Sequence, residues 1–228
     1  MIVGSRQRLL LHDEHISIEM DGKPIKRVNE VKSLGIQIDK HLTWPRHVEN
    51  ISKKIASAIG ALKRVRQFID TNTALIIYEA LIQPHFDYCS TVWDGLSIAL
   101  NDKLQNLQNR AGRAITKSSY NASTSELFSK LGWDDLSTRR KKHKAIMMFK
   151  TVHELTPPYL HELFDFRSTG YNLRNLENTL FVPKPRTNYG KRTFSYDGAK
   201  LWNQLPQSVR AIRSLTQFKR EIHNWFSI

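Results

Sequence analysis

Two groups of residues have the types and spacing that chemistry would need. Asp134 and Asp135 are adjacent carboxylates, the ligands that hold divalent metal ions in two-metal phosphoryl transfer. They stand at the start of a predicted helix that is basic from Arg139 to Lys144. Acidic residues in the first turn of a helix complement its dipole, and we interpret Asp134 and Asp135 as such residues rather than as metal ligands. His85 and Cys89 are four residues apart, but a Cys nucleophile needs a third, orienting group. The aromatic residues around Cys89 favour a small buried side chain, so the sequence predicts no catalytic residue.

Basic residues, in contrast, recur in clusters along the chain. There are 35 Lys and Arg against 21 Asp and Glu, a formal net charge of +14, which indicates a polyanionic partner: nucleic acid first, an anionic membrane surface second. Cations spaced along a groove bind phosphates, and release of counterions supplies the affinity. Each cluster alone also fits a solvated helix face. The candidate nucleic-acid-binding residues are Lys53, Lys54, Lys63, Arg64, Arg66, Arg110, Arg113, Arg139, Arg140, Lys141, Lys142, Lys144, Lys184, Arg186, Lys191 and Arg192.

Other features of the composition exclude several classes of protein. A single Cys excludes a disulfide framework, and the nine His residues show no paired metal-ligand spacing, so we predict no metal site. No stretch reaches the roughly 18 apolar residues of a membrane span, and the first residues do not resemble a signal peptide. We therefore expect an intracellular protein of the nucleus or cytoplasm, not a secreted one, without a membrane partner.

The elements that must position these residues change in character along the chain. Ile16, Ile18 and Met20 alternate with polar residues before the turn pair Asp21-Gly22, and a second alternation runs through Leu34, Ile36 and Ile38 around Gly35. Apolar residues then recur every three or four positions, which predicts helices. The predicted helices run from an N-cap at Thr43 through Val65, from Thr71 to a break at Pro84, over Ile98–Ile115, from a capping box at Ser123 to Gly132, and over Leu136–Glu154.

A mixed pattern follows the break at Thr156-Pro157-Pro158. The predicted elements are a helix at Tyr159–Phe164, strands at Thr179–Val182 and Thr193–Tyr196, and helices at Gly198–Asn203 and Thr216–Trp225. The predicted fold class is mainly α, with a small N-terminal β-hairpin or sheet remnant and a small α+β tail. The predicted division is into segments 1–42, 43–155 and 156–228.

An ordered set of motifs resembles the C-terminal part of the reverse transcriptases of non-LTR (LINE-type) retrotransposons of the jockey or CR1-like kind. The matching stretches include Met1-Ile-Val-Gly-Ser-Arg, Val31-Lys-Ser-Leu-Gly-Ile, Leu42-Thr-Trp-Pro-Arg-His-Val, Leu81-Ile-Gln-Pro-His-Phe-Asp-Tyr-Cys-Ser-Thr-Val-Trp, Leu107-Gln-Asn-Arg-Ala-Gly-Arg-Ala-Ile, and Gly198-Ala-Lys-Leu-Trp-Asn-Gln-Leu-Pro. Single pieces are weak signals, whereas their order covers essentially the whole chain.

The resemblance implies roles for particular residues. Leu34 and Gly35 are similar to the primer-grip turn at the edge of the polymerase palm, although Ser33 stands where the family usually has an aromatic residue. Residues from Thr43 onward are similar to the helical thumb. The family's metal-binding aspartates precede the primer grip, so Asp134 and Asp135 lie on the wrong side of it.

On this resemblance we expect a truncated RNA-directed DNA polymerase that lacks the catalytic aspartates and is inactive alone. It would keep sequence-independent binding to the backbone of RNA, an RNA–DNA hybrid or DNA, and the missing palm and fingers segment is a second expected partner. No cofactor is expected in this chain, with Mg²⁺ only in the full-length enzyme. The alternative is an inert, pseudogene-like fragment, or a basic protein-interaction module without catalysis.

Overall fold

The computed structural model describes residues 1–12, 18–167 and 178–226. The chain forms two compact units, Met1–Leu136 and Ser137–Ile228. Ile16, from the first predicted alternation, lies outside the described residues. The division at 42 and 155 concerned parts of a polymerase and stays a prediction.

Two short antiparallel hairpins stand near the start of unit 1. β1 (Glu19–Met20) pairs with β2 (Lys23–Pro24) across Asp21-Gly22, both of which have positive φ, as the turn pair predicted. β3 (Glu30–Ser33) pairs with β4 (Ile36–Asp39), with Ser33 opposite Ile36. The alternation of Leu34 with Ile36 suggested that Leu34 belongs to a strand. It is instead the first residue of the two-residue turn between β3 and β4.

Helices form the rest of unit 1. They are α1 (Arg6–His12), α2 (Pro45–Val65), α3 (Thr71–Leu81), α4 (Gln83–Asp87), α5 (Ile98–Thr116) and α6 (Thr124–Leu131). The three-and-four spacing of apolar residues in α2 and α5 buries one stripe of each helix. Val48, Ile55, Ile59 and Leu62 of α2 enter a single core with Leu104 of α5. The predicted helices of this region are confirmed.

The start of α2 differs from the prediction. Trp44 is its N-cap and has a left-handed backbone (φ +68°), with Pro45 at the first helical position. Thr43 instead donates its hydroxyl to the buried carboxylate of Asp39, which also accepts from the backbone N–H groups of His41, Thr43 and Trp44 at 2.7–2.9 Å. Asp39 thus holds the connection from β4 to α2, a role that the local pattern around Thr43 did not reveal.

Unit 2 is also helical. Its helices are α7 (Leu136–Val152), which starts at the last residue of unit 1, α8 (Pro158–His161), α9 (Phe194–Gln204), α10 (Gln207–Arg210) and α11 (Leu215–Trp225). Its core includes Met148 and Phe149 of α7, Trp202 of α9 and Phe218 of α11.

One predicted strand of unit 2 is wrong. Thr193–Tyr196 is the N-cap and first turn of α9, because burial of Ala199 and Trp202 in the core favours a helical period there. Near the other predicted strand, Leu180 forms an isolated antiparallel bridge with Phe166, and the Asn203 side chain bonds both backbone groups of Leu180 at 2.8 Å.

The mainly α fold class with a small N-terminal hairpin is confirmed. Within the described ranges, no helix has the length and apolar character needed to cross a bilayer.

Candidate nucleic-acid interface

Helices α2 and α5 lie side by side and run in the same direction. Their first halves line opposite sides of a groove, Glu49 to Ala56 on α2 and Lys103 to Arg110 on α5. Near their ends, Arg66 at the C-cap of α2 bonds the backbone oxygen of Ile115 in the last turn of α5. The two helices are therefore parallel neighbours along most of their length.

The predicted cations of α2 are exposed, with one exception. Lys53, Lys54, Lys63 and Arg64 all face solvent, because the apolar stripe of α2 occupies the opposite face. Arg110 of α5 is exposed beside the same groove. These five side chains are the predicted cations of α2 and α5 that are exposed, and we call them together the α2–α5 surface.

An acidic residue, Glu49, lies among these cations. Glu49 bonds the ammonium of Lys53 at 2.7 Å and the guanidinium of Arg46 at 2.9 Å. The hydrogen bond from Lys53, followed by that from Arg46, lowers the pKa of Glu49 below its ordinary value. Its charge is therefore compensated twice by cations on the same helix.

Lys54 also affects two histidines of unit 1. Burial lowers the pKa of His47, whose ring packs against Trp93 at 5.4 Å between centroids, and the charge of Lys54 lowers it further. The same two causes, in the same order, lower the pKa of His85. Both imidazoles are thereby held neutral at physiological pH, so they add no charge to the α2–α5 surface.

Arg66 is the exception among the predicted cations of α2. Its side chain is 7% exposed, and its guanidinium donates to the backbone oxygens of Ile115 (2.8 and 2.7 Å) and Ile69 (2.6 Å) and to Thr71 Oγ1 (2.9 Å). The structure therefore gives Arg66 a role in joining three segments, with its donors turned away from solvent.

Arg113 is half-buried on α5. One of its terminal nitrogens donates to the Ala122 oxygen at 3.4 Å, and its guanidinium lies 5.6 Å from the centre of the exposed Tyr120 ring. The sequence placed it with Arg110, but the structure places its charge over the loop after α5 rather than in the groove.

The predicted cations of α7 divide by burial. Lys141 is exposed and Arg139 half-exposed, whereas Arg140, Lys142 and Lys144 are buried. The Lys144 ammonium pairs with the Asp197 carboxylate of α9, and Lys142 Nζ lies 3.1 Å from His223 Nδ1 of α11. Three of the five predicted α7 cations therefore lie inside the protein, where a phosphate has no direct access.

The fourth predicted cluster belongs to unit 2 as well. Lys184, Arg186, Lys191 and Arg192 are all exposed, in the loop and the short 3-10 turn before α9. The Arg192 guanidinium lies 5.8 Å from the centre of the Tyr189 ring. This cluster is a second accessible cationic surface, described within unit 2 alone.

The turn between β3 and β4 presents an apolar side chain to solvent. Leu34 is 87% exposed, and both Leu34 (φ +45°) and Gly35 (φ +85°) adopt left-handed backbone conformations. The phenol of Tyr88 donates to the Leu34 oxygen at 2.7 Å and fixes the turn against the end of α4. A left-handed backbone conformation costs a residue such as Leu about 1 kcal/mol or more. The hydrogen bond from Tyr88 helps to hold Leu34 in this strained conformation.

The side chains that resembled catalytic groups have other surroundings. The Asp134 backbone oxygen accepts from the Gln108 side chain at 3.0 Å, and Asp135 is exposed before the first residue of α7. Cys89 is half-buried against the core of unit 1. The described residues contain no group of three His, Cys, Asp or Glu side chains that could hold a metal ion.

Sequence reasoning did not find three residues that line the α2–α5 groove. Lys103 and Asn106 stand on the same face of α5 as Arg110, and Ser52 precedes Lys53 on α2. The spacing of Lys103, Asn106 and Arg110 by three and four was a usable signal for the first two. Ser52 carried no such signal, because a lone Ser in a helix is uninformative.

Comparison with known proteins finds relatives among transposon polymerases. The chain is 26% identical over 96 residues, 41% of its length, to a probable RNA-directed DNA polymerase from transposon X-element of Drosophila melanogaster. It is 28% identical over 106 residues, 45% of its length, to the corresponding protein from transposon BS of the same organism. The matched regions span only 11% and 12% of those relatives. No family model and no solved structure matches the chain. The resemblance to part of a non-LTR reverse transcriptase is confirmed.

Proposed function

We propose that the chain is part of the reverse transcriptase of a non-LTR retrotransposon and that it holds the backbone of a template–primer without reading its sequence. The ordered motifs and the similarity to two transposon RNA-directed DNA polymerases support the first half. The strong positive charge of the chain supports the second.

The observation that carries the proposal is the α2–α5 surface. Its cations stand on two parallel helices whose other faces are buried, so that their positions are set by the core of unit 1. Lys and Arg side chains reach phosphates from such a face and position a protein on a duplex, but they carry no information about base sequence. Binding through this surface is therefore sequence-independent.

The turn at Leu34-Gly35 supports a second contact in this proposal. Among the motifs that resemble non-LTR reverse transcriptases, this turn is similar to the primer grip. The Leu34 side chain is exposed, and the Tyr88 phenol donates to the Leu34 oxygen. The departure at Ser33 leaves the backbone of the turn, rather than an aromatic side chain, to approach the primer. The carboxylates and Mg²⁺ of nucleotide addition come, in this proposal, from the palm outside these residues, and no step of that reaction is assigned to this chain.

The test is the salt dependence of binding to a labelled RNA–DNA hybrid, followed by fluorescence anisotropy. If the five cations of the α2–α5 surface each meet one phosphate, log Kd against log salt has a slope of about 4.5 in magnitude. Lys63→Gln should reduce that slope by about 0.9, whereas the exposed Lys130→Gln on α6 should leave it unchanged. A nearly flat salt titration of the unaltered protein would reject the proposal.

A further inference from the structure

An exposed aromatic side chain stands in the loop between α5 and α6. Tyr120 is 85% exposed, the highest accessible fraction of any described tyrosine. A single exposed aromatic residue is ordinary on a protein surface, so exposure alone calls for no explanation. The surroundings of Tyr120 are less ordinary, because its backbone is fixed, a cation lies against its ring, and the chain on both sides of it is basic.

Hydrogen bonds fix the backbone around Tyr120. The N–H of Ala122 donates to the Ser119 oxygen at 3.2 Å and closes a tight turn. Tyr120 and Asn121 are the two central residues of that turn. The Ala122 oxygen accepts from the guanidinium of Arg113 at 3.4 Å, which ties the turn back to α5. The turn therefore presents the Tyr120 side chain from a defined position.

The guanidinium of Arg113 also lies over the Tyr120 ring. Its central carbon is 5.6 Å from the ring centre, which is the range of a cation–π contact. Hydrogen bonding alone does not account for this placement, since Arg113 Nε is buried and no described residue accepts a hydrogen bond from it. One face of the ring thus meets a cation, and the high exposure of Tyr120 leaves the other face to solvent.

The charge of the chain around this loop is positive. From Lys103 to Ser125 the sequence contains no Asp or Glu, and the next acid is Glu126, in the first turn of α6. Lys117, an exposed cation, precedes Tyr120 by three residues. A positioned aromatic ring beside cations suits a ligand that combines phosphates with flat aromatic faces, which is the chemistry of single-stranded nucleic acid.

We propose that Tyr120 stacks on an unpaired base of the strand that extends beyond the duplex part of a template–primer. The inference rests on the proposed function and adds to it a contact with a base, whereas the α2–α5 surface contacts phosphates. The base occupies the open face of the ring, and Arg113 remains on the other face. Every base has such a flat face, so the contact leaves binding independent of sequence.

The test compares two hybrids of equal charge by fluorescence anisotropy. Both carry a short single-stranded overhang of the same length, with bases in one hybrid and with abasic residues in the other. The unaltered protein should bind the overhang with bases more tightly by about five-fold or more, the lower end of the effect of one base on one aromatic ring. The two salt slopes should be equal, because both hybrids have the same number of phosphates.

Three variants locate the effect. Tyr120→Ala should abolish the difference between the two hybrids, and Tyr120→Phe should keep it, because phenylalanine retains the ring. Neither change should alter the salt slope or the melting temperature, since the side chain is uncharged and exposed. The matched control is Tyr159→Ala, which removes a 66% exposed tyrosine of unit 2 and should keep the full difference.

A fluorescent base analogue gives a direct signal of stacking. The fluorescence of 2-aminopurine in the overhang is quenched when the base stacks. It should therefore fall more on binding to the unaltered protein than on binding to Tyr120→Ala at saturating protein. Equal quenching by the two proteins would contradict the inference.

The two proposals fail in different ways. If the unaltered protein binds both hybrids equally but with a steep salt slope, or if Tyr120→Ala keeps the difference, stacking at Tyr120 is overturned and the proposed function stands. The inference is also overturned if Tyr120→Phe loses the difference, because the hydroxyl and not the ring would then make the contact, or if Tyr159→Ala loses it. Binding that does not respond to salt counts against the proposed function itself.

Discussion

Arg66 and Arg64 are two arginines of equal charge, two positions apart, with opposite surroundings. Arg66 donates four hydrogen bonds inside unit 1, while Arg64 is exposed. We expect Arg66→Gln to destabilise the fold with little change in the salt slope of hybrid binding, and Arg64→Gln to do the reverse. Each variant is therefore the control for the other.

The magnitude for Arg66→Gln comes from the acceptors that it leaves behind. The Ile115 oxygen is buried and loses both of its contacts with the guanidinium, a loss of about 2 kcal/mol for an unsatisfied group. The Ile69 oxygen and the Thr71 hydroxyl are only partly buried, and water can replace the guanidinium there at a loss of about 1 kcal/mol for the two. The free energy of unfolding should thus fall by about 3 kcal/mol, or about 6–12 °C in melting temperature for a chain of this length.

Urea unfolding followed by circular dichroism measures the loss, and hydrogen exchange of the α2 and α5 amides locates it. Arg64→Gln should change the free energy of unfolding by less than about 0.5 kcal/mol, as for other surface substitutions. The reasoning is refuted if Arg66→Gln is as stable as Arg64→Gln, or if it reduces the salt slope by the same amount, since either result would mean that the guanidinium of Arg66 is free for phosphate.

Two further predictions concern the second hairpin and the segment after it. Burial opposes ionisation of Asp39, but hydrogen bonds from Trp44, His41 and Thr43 together lower its pKa below 3.8, so its contribution to stability should be full above that pH and lost as the pH falls toward the folded-state pKa. Asp39→Asn should remove this acid-dependent part of the unfolding free energy, measured from pH 2 to pH 6, which the exposed Asp102→Asn should retain. Leu34→Asn should raise the unfolding free energy by about 1 kcal/mol, because Asn-Gly suits a turn with two positive φ values; a lower stability in thermal melts would contradict the strain argued for Leu34.

Local patterns were sufficient for most elements of the fold. The apolar spacing of α2 and α5, the break at Pro84 and the turn at Asp21-Gly22 all follow from interactions within a few residues of each other. Helical hydrogen bonds span four residues and a tight turn spans two, so a short window of sequence contains the information that sets them.

Local patterns were insufficient where the period was ambiguous. Thr193–Tyr196 alternates like a strand but is the N-cap and first turn of α9, because Trp202 further along that helix enters a core built with α7 and α11. Leu34 fits the alternation of apolar residues in a strand, but Ser33 pairs with Ile36, so Leu34 and Gly35 form the turn between the two strands. Both outcomes depend on partners outside the window.

The candidate site shows the same division. Net charge and clustering follow from the sequence alone, because they are sums over residue types. Which of those charges face a ligand depends on partners far away in the chain: Ile115 for Arg66, 49 residues on, and Asp197 for Lys144, 53 residues on. A side chain becomes a binding group or a structural one according to what packing brings beside it, and for Arg66 and Lys144 only the folded chain contains that information.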